Sequence, residues 1–218
     1  MPPKMVIFDL DGTLVDSAGE IAAAMAQAWQ AVLPELPFPA ERVRIGPPLA
    51  QMIANLDPAL GRGEQRAVFD AFRERYDASD FSRTLPYPGI HGVVETLRAQ
   101  GRRLCLATNK RLLPTLAIAA RWFPRSFDKI ACSDGVWPED GTRPASKAEM
   151  VRWLAGSAAD GAVVVGDTTG DIAAGRASGL RVVAVTWGYC DEQALVAARP
   201  DAVVHEVPAL LGVLDRIP

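Results

Sequence analysis

Asp9 and Asp11 stand one residue apart behind the apolar run Val6-Ile7-Phe8, and Gly12-Thr13-Leu14-Val15-Asp16-Ser17 follows them. Two carboxylates this close repel each other unless a cation or a proton sits between them. A fold rarely accepts that conflict for stability alone, so the pair is first a candidate for chemistry. Three further polar groups lie behind or beside apolar runs: Thr108 and Asn109, Lys147, and Asp167 with Asp171. A carboxylate pair, a hydroxyl, an ammonium and a second acidic pair are the parts needed to hold a hard cation and an anionic group together. They act together only if the fold brings them to one place.

The apolar runs supply the positions. Lys4–Leu10, Arg103–Ala107, Ile130–Cys132, Ala162–Val165 and Arg181–Thr186 read as buried strands, with Ala202–Val204 as an edge strand. Helical spacing fills the stretches between them: Ile90–Gln100 ending at Gly101, Leu112–Trp122, Ser146–Ala155, Ile172–Ser178 and Pro208–Leu214. Strands alternating with helices predict an α/β fold with a doubly wound, Rossmann-like parallel sheet. In such sheets ligands bind at the carboxyl ends of the strands, where residues distant in sequence can meet. Asp9/Asp11, Thr108 and Asp167 all follow strands there.

One stretch does not fit the alternation. From Ser17 to Leu85 there is no strand candidate, and the length far exceeds an ordinary strand-to-helix connection of a few residues. Ser17–Leu33 reads as a helix with Ser17 and Glu20 spaced as a capping box. Ala40–Ile45, Leu49–Asn55 and Glu64–Tyr76 read as further helices, and Gly135–Pro144 as a loop. The expected organisation is a core of residues 1–16 and 86–218 with an all-helical cap, 17–85, inserted into it, hinged near Val15–Ser17 and Leu85–Pro88.

Composition narrows the function classes. The 218 residues are 49% hydrophobic and 22% charged, enough for a real core in a soluble protein. A net charge of −3 offers no basic footprint for nucleic acid. No apolar run approaches the ~20 residues of a membrane span, and Met-Pro-Pro-Lys leads straight into a strand, predicting no leader. Three scattered cysteines, Cys105, Cys132 and Cys190, make no disulfide framework and point to a reducing cytoplasm. His91 and His205 lie apart from cysteines and acids, which leaves an oxygen-ligated metal as the expected kind.

Asp9-Leu10-Asp11-Gly12-Thr13-Leu14, Thr108 after a strand, Lys147, and Gly166-Asp167-Thr168-x-x-Asp171 resemble, in order, the four motifs of the haloacid dehalogenase superfamily of phosphohydrolases. The helical insertion, Tyr87-Pro88-Gly89 and Thr186-Trp187-Gly188-Tyr189 resemble its phosphoglycolate phosphatase-like members. The resemblance implies that Asp9 is a nucleophile forming an aspartyl-phosphate. Asp11 would be the acid and base that serves the leaving oxygen and then water. Mg²⁺ would sit on the Asp9 carboxylate, the Asp11 backbone carbonyl and Asp167, with Asp171 acting from behind through a water or another contact. The Thr108 hydroxyl and Lys147 ammonium would bind the phosphoryl group, helped by backbone amides around Leu10, Asp11 and Asn109. Arg143 is a rival to Lys147 as the cation; Lys147 is preferred because it begins a helix.

The implied partner is a small phosphorylated metabolite, with the oligomeric state open and a monomer sufficient. Asp11 disfavours dehalogenation, which needs no second acid there. Phosphonate cleavage through an imine needs a cap lysine, and none occurs between Asp16 and Tyr87. A sugar-phosphate phosphatase or phosphomutase and a 5′-nucleotidase stay open, while a non-catalytic binding module fits poorly with intact Asp9, Asp11, Lys147 and Asp167. Thr108 alone also suits a turn, and Asp16 and Ser17 suit a helix start or hinge. Substrate choice is expected in the cap, where Arg42, Arg44, Arg62, Arg66, Arg73 and Arg75 are candidate contacts and most serve only as solvated helix-face residues. The apolar Ile45-Gly46-Pro47-Pro48-Leu49 turn is expected to face the site and to suit a small substrate.

Overall fold

A computed structural model describes residues 2–156 and 161–217. Its centre is a seven-stranded sheet. In chain order the strands are β1 (Met5–Phe8), β4 (Arg103–Thr108), β5 (Lys129–Cys132), β6 (Gly135–Trp137), β7 (Ala162–Gly166), β8 (Arg181–Val185) and β9 (Ala202–Val204). The missing numbers, β2 (Val15–Asp16) and β3 (Leu85–Pro86), form a separate antiparallel ribbon. The main sheet runs in the order β6-β5-β4-β1-β7-β8-β9, parallel except for β6.

β1 owes its central place to its composition. Val6 and Phe8 enter one apolar layer while Met5 and Ile7 enter the layer on the opposite face, and all four are buried. A strand covered on both faces reads as a continuous apolar run, as here. It pairs with β4 on one side and β7 on the other. The chain leaves β1 toward β4 and β5, then returns to build β7, β8 and β9 on the other side. β1 therefore stands at the point where strand order reverses, the crevice in which open α/β sheets bind ligands.

The helices of the core are α4 (Ile90–Ala99), α5 (Leu112–Trp122), α6 (Lys147–Ala155), α7 (Thr169–Ala177), α8 (Glu192–Ala197) and α9 (Ala209–Arg216). Between β2 and β3 lie α1 (Ala18–Val32), α2 (Leu49–Leu56) and α3 (Arg62–Asp77), with no strand among those residues. Met25, Trp29, Ile53, Val68 and Phe72 bury the inner faces of these helices, continuous with one apolar layer of the sheet.

Several expected elements differ. Gly135–Pro144 is not all loop: its first three residues pair antiparallel with β5 and close the sheet edge. Three residues, Gly-Val-Trp, are too few for alternation to register. α8 was not anticipated, since its one buried residue, Leu195, carries no periodicity. The helix expected over Ala40–Ile45 is a single 3-10 turn, Ala40–Arg42. Gly46 follows at φ +115°, then two prolines, so the segment turns instead of continuing. The Ser17/Glu20 capping box does not form. The Ser17 side chain makes no cap bond to α1, and Glu20 instead accepts from the Ser79 hydroxyl and from the Arg83 amide at 2.9 Å.

Candidate active site

The loop after β1 is shaped by its backbone. The Asp9 amide continues the sheet by donating to Val165 at 2.9 Å. Leu10 then accepts from the amides of Leu14 and Val15 at 2.9 and 3.1 Å, and the Gly12 amide donates to Val15 at 2.9 Å. The turn needs a left-handed residue, and Gly12 supplies it at φ +86°. The result is a tight return that keeps Asp9 and Asp11 buried at the sheet's edge.

Asp9, Asp167 and Asp171 form one cluster, each contributing a carboxylate oxygen within 4.8 Å of the others. Lys147, from the first turn of α6, closes it: Nζ lies 2.8 Å from Asp9 Oδ1 and 2.5 Å from Asp171 Oδ1. The helix start that aims Lys147 is capped by Ser146, whose hydroxyl accepts from the Glu149 amide. Arg143, the rival cation, is exposed. Asp171 occupies the third position of α7 and makes a reciprocal capping box with Thr168. Its Oδ2 accepts from the Thr168 amide and hydroxyl at 3.0 and 2.6 Å, while its Oδ1 points into the cluster. Sequence reasoning set Asp171 behind the other acids; the fold brings its carboxylate level with theirs.

Asp167 is held on both oxygens. Thr13 donates to Oδ1 at 3.1 Å and the Tyr189 amide to Oδ2 at 2.8 Å. Gly12 and Gly188 crowd the same carboxylate so closely that a Cβ at either position would overlap it. Three buried carboxylates face one ammonium. Burial pushes the Asp9 pKa well above the usual carboxylate range, with Asp171 and Asp167 adding to the rise and Lys147 opposing it. Burial, reinforced by Asp171, pushes Asp167 up to about 7. Burial works against charge on Lys147, but Asp171 and Asp9 outweigh it and hold the ammonium above its ordinary pKa. The donor set is hard oxygen with excess negative charge and no sulfur or imidazole, which fits a cation such as Mg²⁺.

Asp11 belongs to a second network. Its Oδ1 accepts from the Ser17 hydroxyl at 2.6 Å, and its Oδ2 lies 3.1 Å from Lys110 Nζ. Lys110 also donates to the Tyr76 hydroxyl at 2.6 Å. Burial disfavours its charge, yet Asp11 and Tyr76 raise its pKa above the ordinary value. The Tyr189 hydroxyl accepts from the Ser17 amide at 2.8 Å and donates to Asp16 at 3.0 Å. Ser17 thus ties the β2 end of the insertion to Asp11, and Tyr189 ties it to the loop after β8. Sequence reasoning gave no role to Lys110, Tyr76, Tyr189, Thr13 or Gly188. For Lys110 a signal existed: it is a lone lysine two residues after Thr108 at a strand end.

Thr108 is buried, and its hydroxyl accepts from the Lys110 amide at 3.2 Å, the turn contact its residue type suggests. The Asn109 side chain does not point at a free anion site; it donates to Gly46 in the Ile45–Leu49 turn at 2.9 Å. Arg111 pairs with Asp77 of α3 and, at 3.1 Å, with Asp134. Asn109, Lys110 and Arg111 therefore join the core to the inserted helices at three successive residues.

Between them lies a cavity of about 330 Å³. Asp9, Asp11, residues 108–111, Ser133 and Asp134 line the core side, with Pro114 of α5, and the Ile45–Leu49 turn, α2, α3 and Ile21 of α1 line the cap side. Lys147, Asp167 and Asp171 do not line it; they gather around Asp9, which does. The arrangement offers a carboxylate open to a ligand, a second carboxylate nearby on the same wall, and a buried acidic cluster whose donors suit a hard cation.

A family model described as haloacid dehalogenase-like hydrolase matches residues 6–185. Phosphoglycolate phosphatase from Pseudomonas putida is 30% identical, the match covering 96% of this chain and 79% of that protein. Tyrosine-protein kinase PtkA from Mycobacterium tuberculosis is also 30% identical, over 97% of this chain and 73% of its own. Among solved structures, a haloacid dehalogenase-like family protein from Streptococcus pneumoniae superposes with a TM-score of 0.85 at 26% identity, covering 97% of this chain and 98% of that one.

Proposed function

The chain belongs to the haloacid dehalogenase-like hydrolases, and from that premise we propose that it is a Mg²⁺-dependent phosphohydrolase. Its substrate would be a small phosphate monoester bearing a carboxylate, as phosphoglycolate does, cleaved through an aspartyl-phosphate on Asp9. The observation that carries this reading is the division of labour between two adjacent carboxylates. Asp9 faces a cluster of acids and Lys147, whereas Asp11 is held by Ser17 and Lys110. Two carboxylates in different surroundings suit different roles.

Asp9 attacks phosphorus, the bond from phosphorus to the ester oxygen breaks, and Asp11 gives its proton to that oxygen. Asp11, now a carboxylate, takes a proton from water as the water attacks phosphorus, and Asp9 is released. Thr108 and Lys147 hold phosphoryl oxygens during transfer. Asp9, Asp167, the Asp11 backbone carbonyl and the inward oxygen of Asp171 would hold Mg²⁺, which offsets the repulsion between an anionic ester and a carboxylate nucleophile. Asn109 contributes through its backbone, since its side chain is engaged with Gly46.

In this reading residues 17–85 act as a cap over the core of residues 1–16 and 86–218, shedding water from the site when closed. The Asn109–Gly46, Lys110–Tyr76 and Arg111–Asp77 contacts support it. No helix among the described residues is long and apolar enough to cross a membrane. The free cysteines support a cytoplasmic setting. The test is hydrolysis of generic phosphate esters with Mg²⁺ and then with a chelator. Metal-dependent release of phosphate is expected; no turnover of any ester under either condition overturns the proposal.

A further inference from the structure

The phosphate-facing end of the cavity is polar, but most of the rest is not. Ile45, Leu49 and Met52 line one side, and Phe69, Phe72 and Pro114 also face in. Glycolate, a two-carbon acid, has no apolar surface to set against these walls, and its carboxylate would require a cation close to the phosphate.

The cations near the phosphate are already committed. Lys110 is tied to Asp11 and Tyr76. Arg111 is tied to Asp77 and Asp134. Freeing either for a substrate carboxylate would leave a carboxylate in or beside the cavity without its partner, which is costly where water is scarce. Arg73, on α3, is the exception. It is half-buried, lines the cavity, and makes no ion pair among the described residues. Its guanidinium lies 5.7 Å from the ring centre of Phe69, which holds it beside the apolar wall.

Resting on the phosphohydrolase reading, we propose that the site selects phosphate monoesters of alcohols with an apolar, ring-sized body bearing a carboxylate for Arg73, in preference to phosphoglycolate. The ring lies against Leu49, Met52 and Phe72, and Arg73 takes the charge beyond it. Arg73 is thus a specificity residue and has no part in the bond-breaking step. The other cap arginines are set apart on this basis: Arg62 and Arg83 are exposed. Arg66 pairs with Asp70 on the surface, and Arg42 and Arg44 bind backbone carbonyls of the cap itself. Arg75 also turns back, onto the Ala71 carbonyl.

The test compares kcat/KM of the full chain with Mg²⁺ on phosphoglycolate, benzyl phosphate and 4-carboxybenzyl phosphate. All three release a primary alcohol, so the chemical step is similar and the differences report the cavity. Burying a ring in an apolar pocket should favour benzyl phosphate over phosphoglycolate by about tenfold or more. The added carboxylate should give a further gain, expressed in KM, and Arg73→Gln should bring the carboxybenzyl-to-benzyl ratio close to unity. Phosphoglycolate equal to or better than both ring substrates overturns the inference. So does Arg73→Gln lowering all three substrates by the same factor, which would mark the residue as structural. Turnover of none of the three, nor of generic esters, overturns the phosphohydrolase reading itself and is thereby distinguishable.

Discussion

Asp11 is held by two side chains that belong to different parts of the molecule, Ser17 at the entry to the insertion and Lys110 behind β4. A group that must exchange a proton at one atom needs its orientation fixed, because misplacement by about an ångström costs up to ~10²-fold in rate. Lys110→Gln removes the ionic anchor and the contact to Tyr76 while keeping length and hydrogen bonding. kcat is expected to fall about 10-fold to 100-fold, with KM changing less and the circular dichroism spectrum retained; an unchanged kcat would show that Ser17 alone orients Asp11. At this scale the sequence was uneven. Asp9, Asp11, Lys147 and Asp167 stood out because acids and a lysine at strand ends and helix starts have few structural reasons to be there. Tyr76 and Tyr189 did not, because a tyrosine in an apolar pattern looks like core until its hydroxyl is seen to reach a partner. Asn109 was expected to serve the phosphate through its backbone amide; that its side chain donates to Gly46 is a contact only the folded geometry reveals.

Among the elements, the loops after β1 and β8 do the most for the cation site. Gly12 and Gly188 both crowd Asp167, leaving no room for a Cβ on either. Gly12 also needs positive φ, but Gly188 does not, so substitution of Gly188 isolates crowding from backbone strain. Gly188→Ala should displace the Asp167 carboxylate and weaken Mg²⁺ binding by about tenfold or more, read by metal titration of activity. It should also destabilise the fold by about 1–3 kcal/mol in chemical denaturation. Retained Mg²⁺ affinity would show that the loop can shift away. Long buried strands and amphipathic helices were legible because period and burial agree over many residues. β6 and α8 were not, being held by edge pairing and one buried leucine, which leave no repeating pattern. The helix read over Ala40–Ile45 is only a 3-10 turn at Ala40–Arg42, because the segment is short and those three residues bury no side chain that would hold a longer helix.

For the whole molecule, the proposed cation site predicts that stability depends on pH and metal together. In the folded chain Asp167 has its pKa raised to about 7. The fold therefore binds that proton more tightly than the unfolded chain. This contribution is fully present below the ordinary carboxylate range and is lost as pH rises through about 7. Asp9, also raised by burial, acts in the same direction. With Mg²⁺ the charges are neutralised without protons, so the metal stabilises most where the carboxylates are ionised. Thermal denaturation with chelator should show Tm falling between about pH 5 and pH 8, and Mg²⁺ should raise Tm by a margin that widens with pH. A margin that is flat with pH would mean the cluster does not exchange protons for the cation. The central claim of the proposed function is that Asp9 carries the phosphoryl group between substrate and water. It is tested most directly by mixing the protein with a radiolabelled phosphate ester and Mg²⁺, quenching in acid within one turnover, and mapping the label. The account predicts an acid-stable, hydroxylamine-labile label on the peptide containing Asp9, absent in a folded Asp9→Asn variant that has lost turnover. Full turnover by Asp9→Asn, or label on a residue other than Asp9, would contradict it.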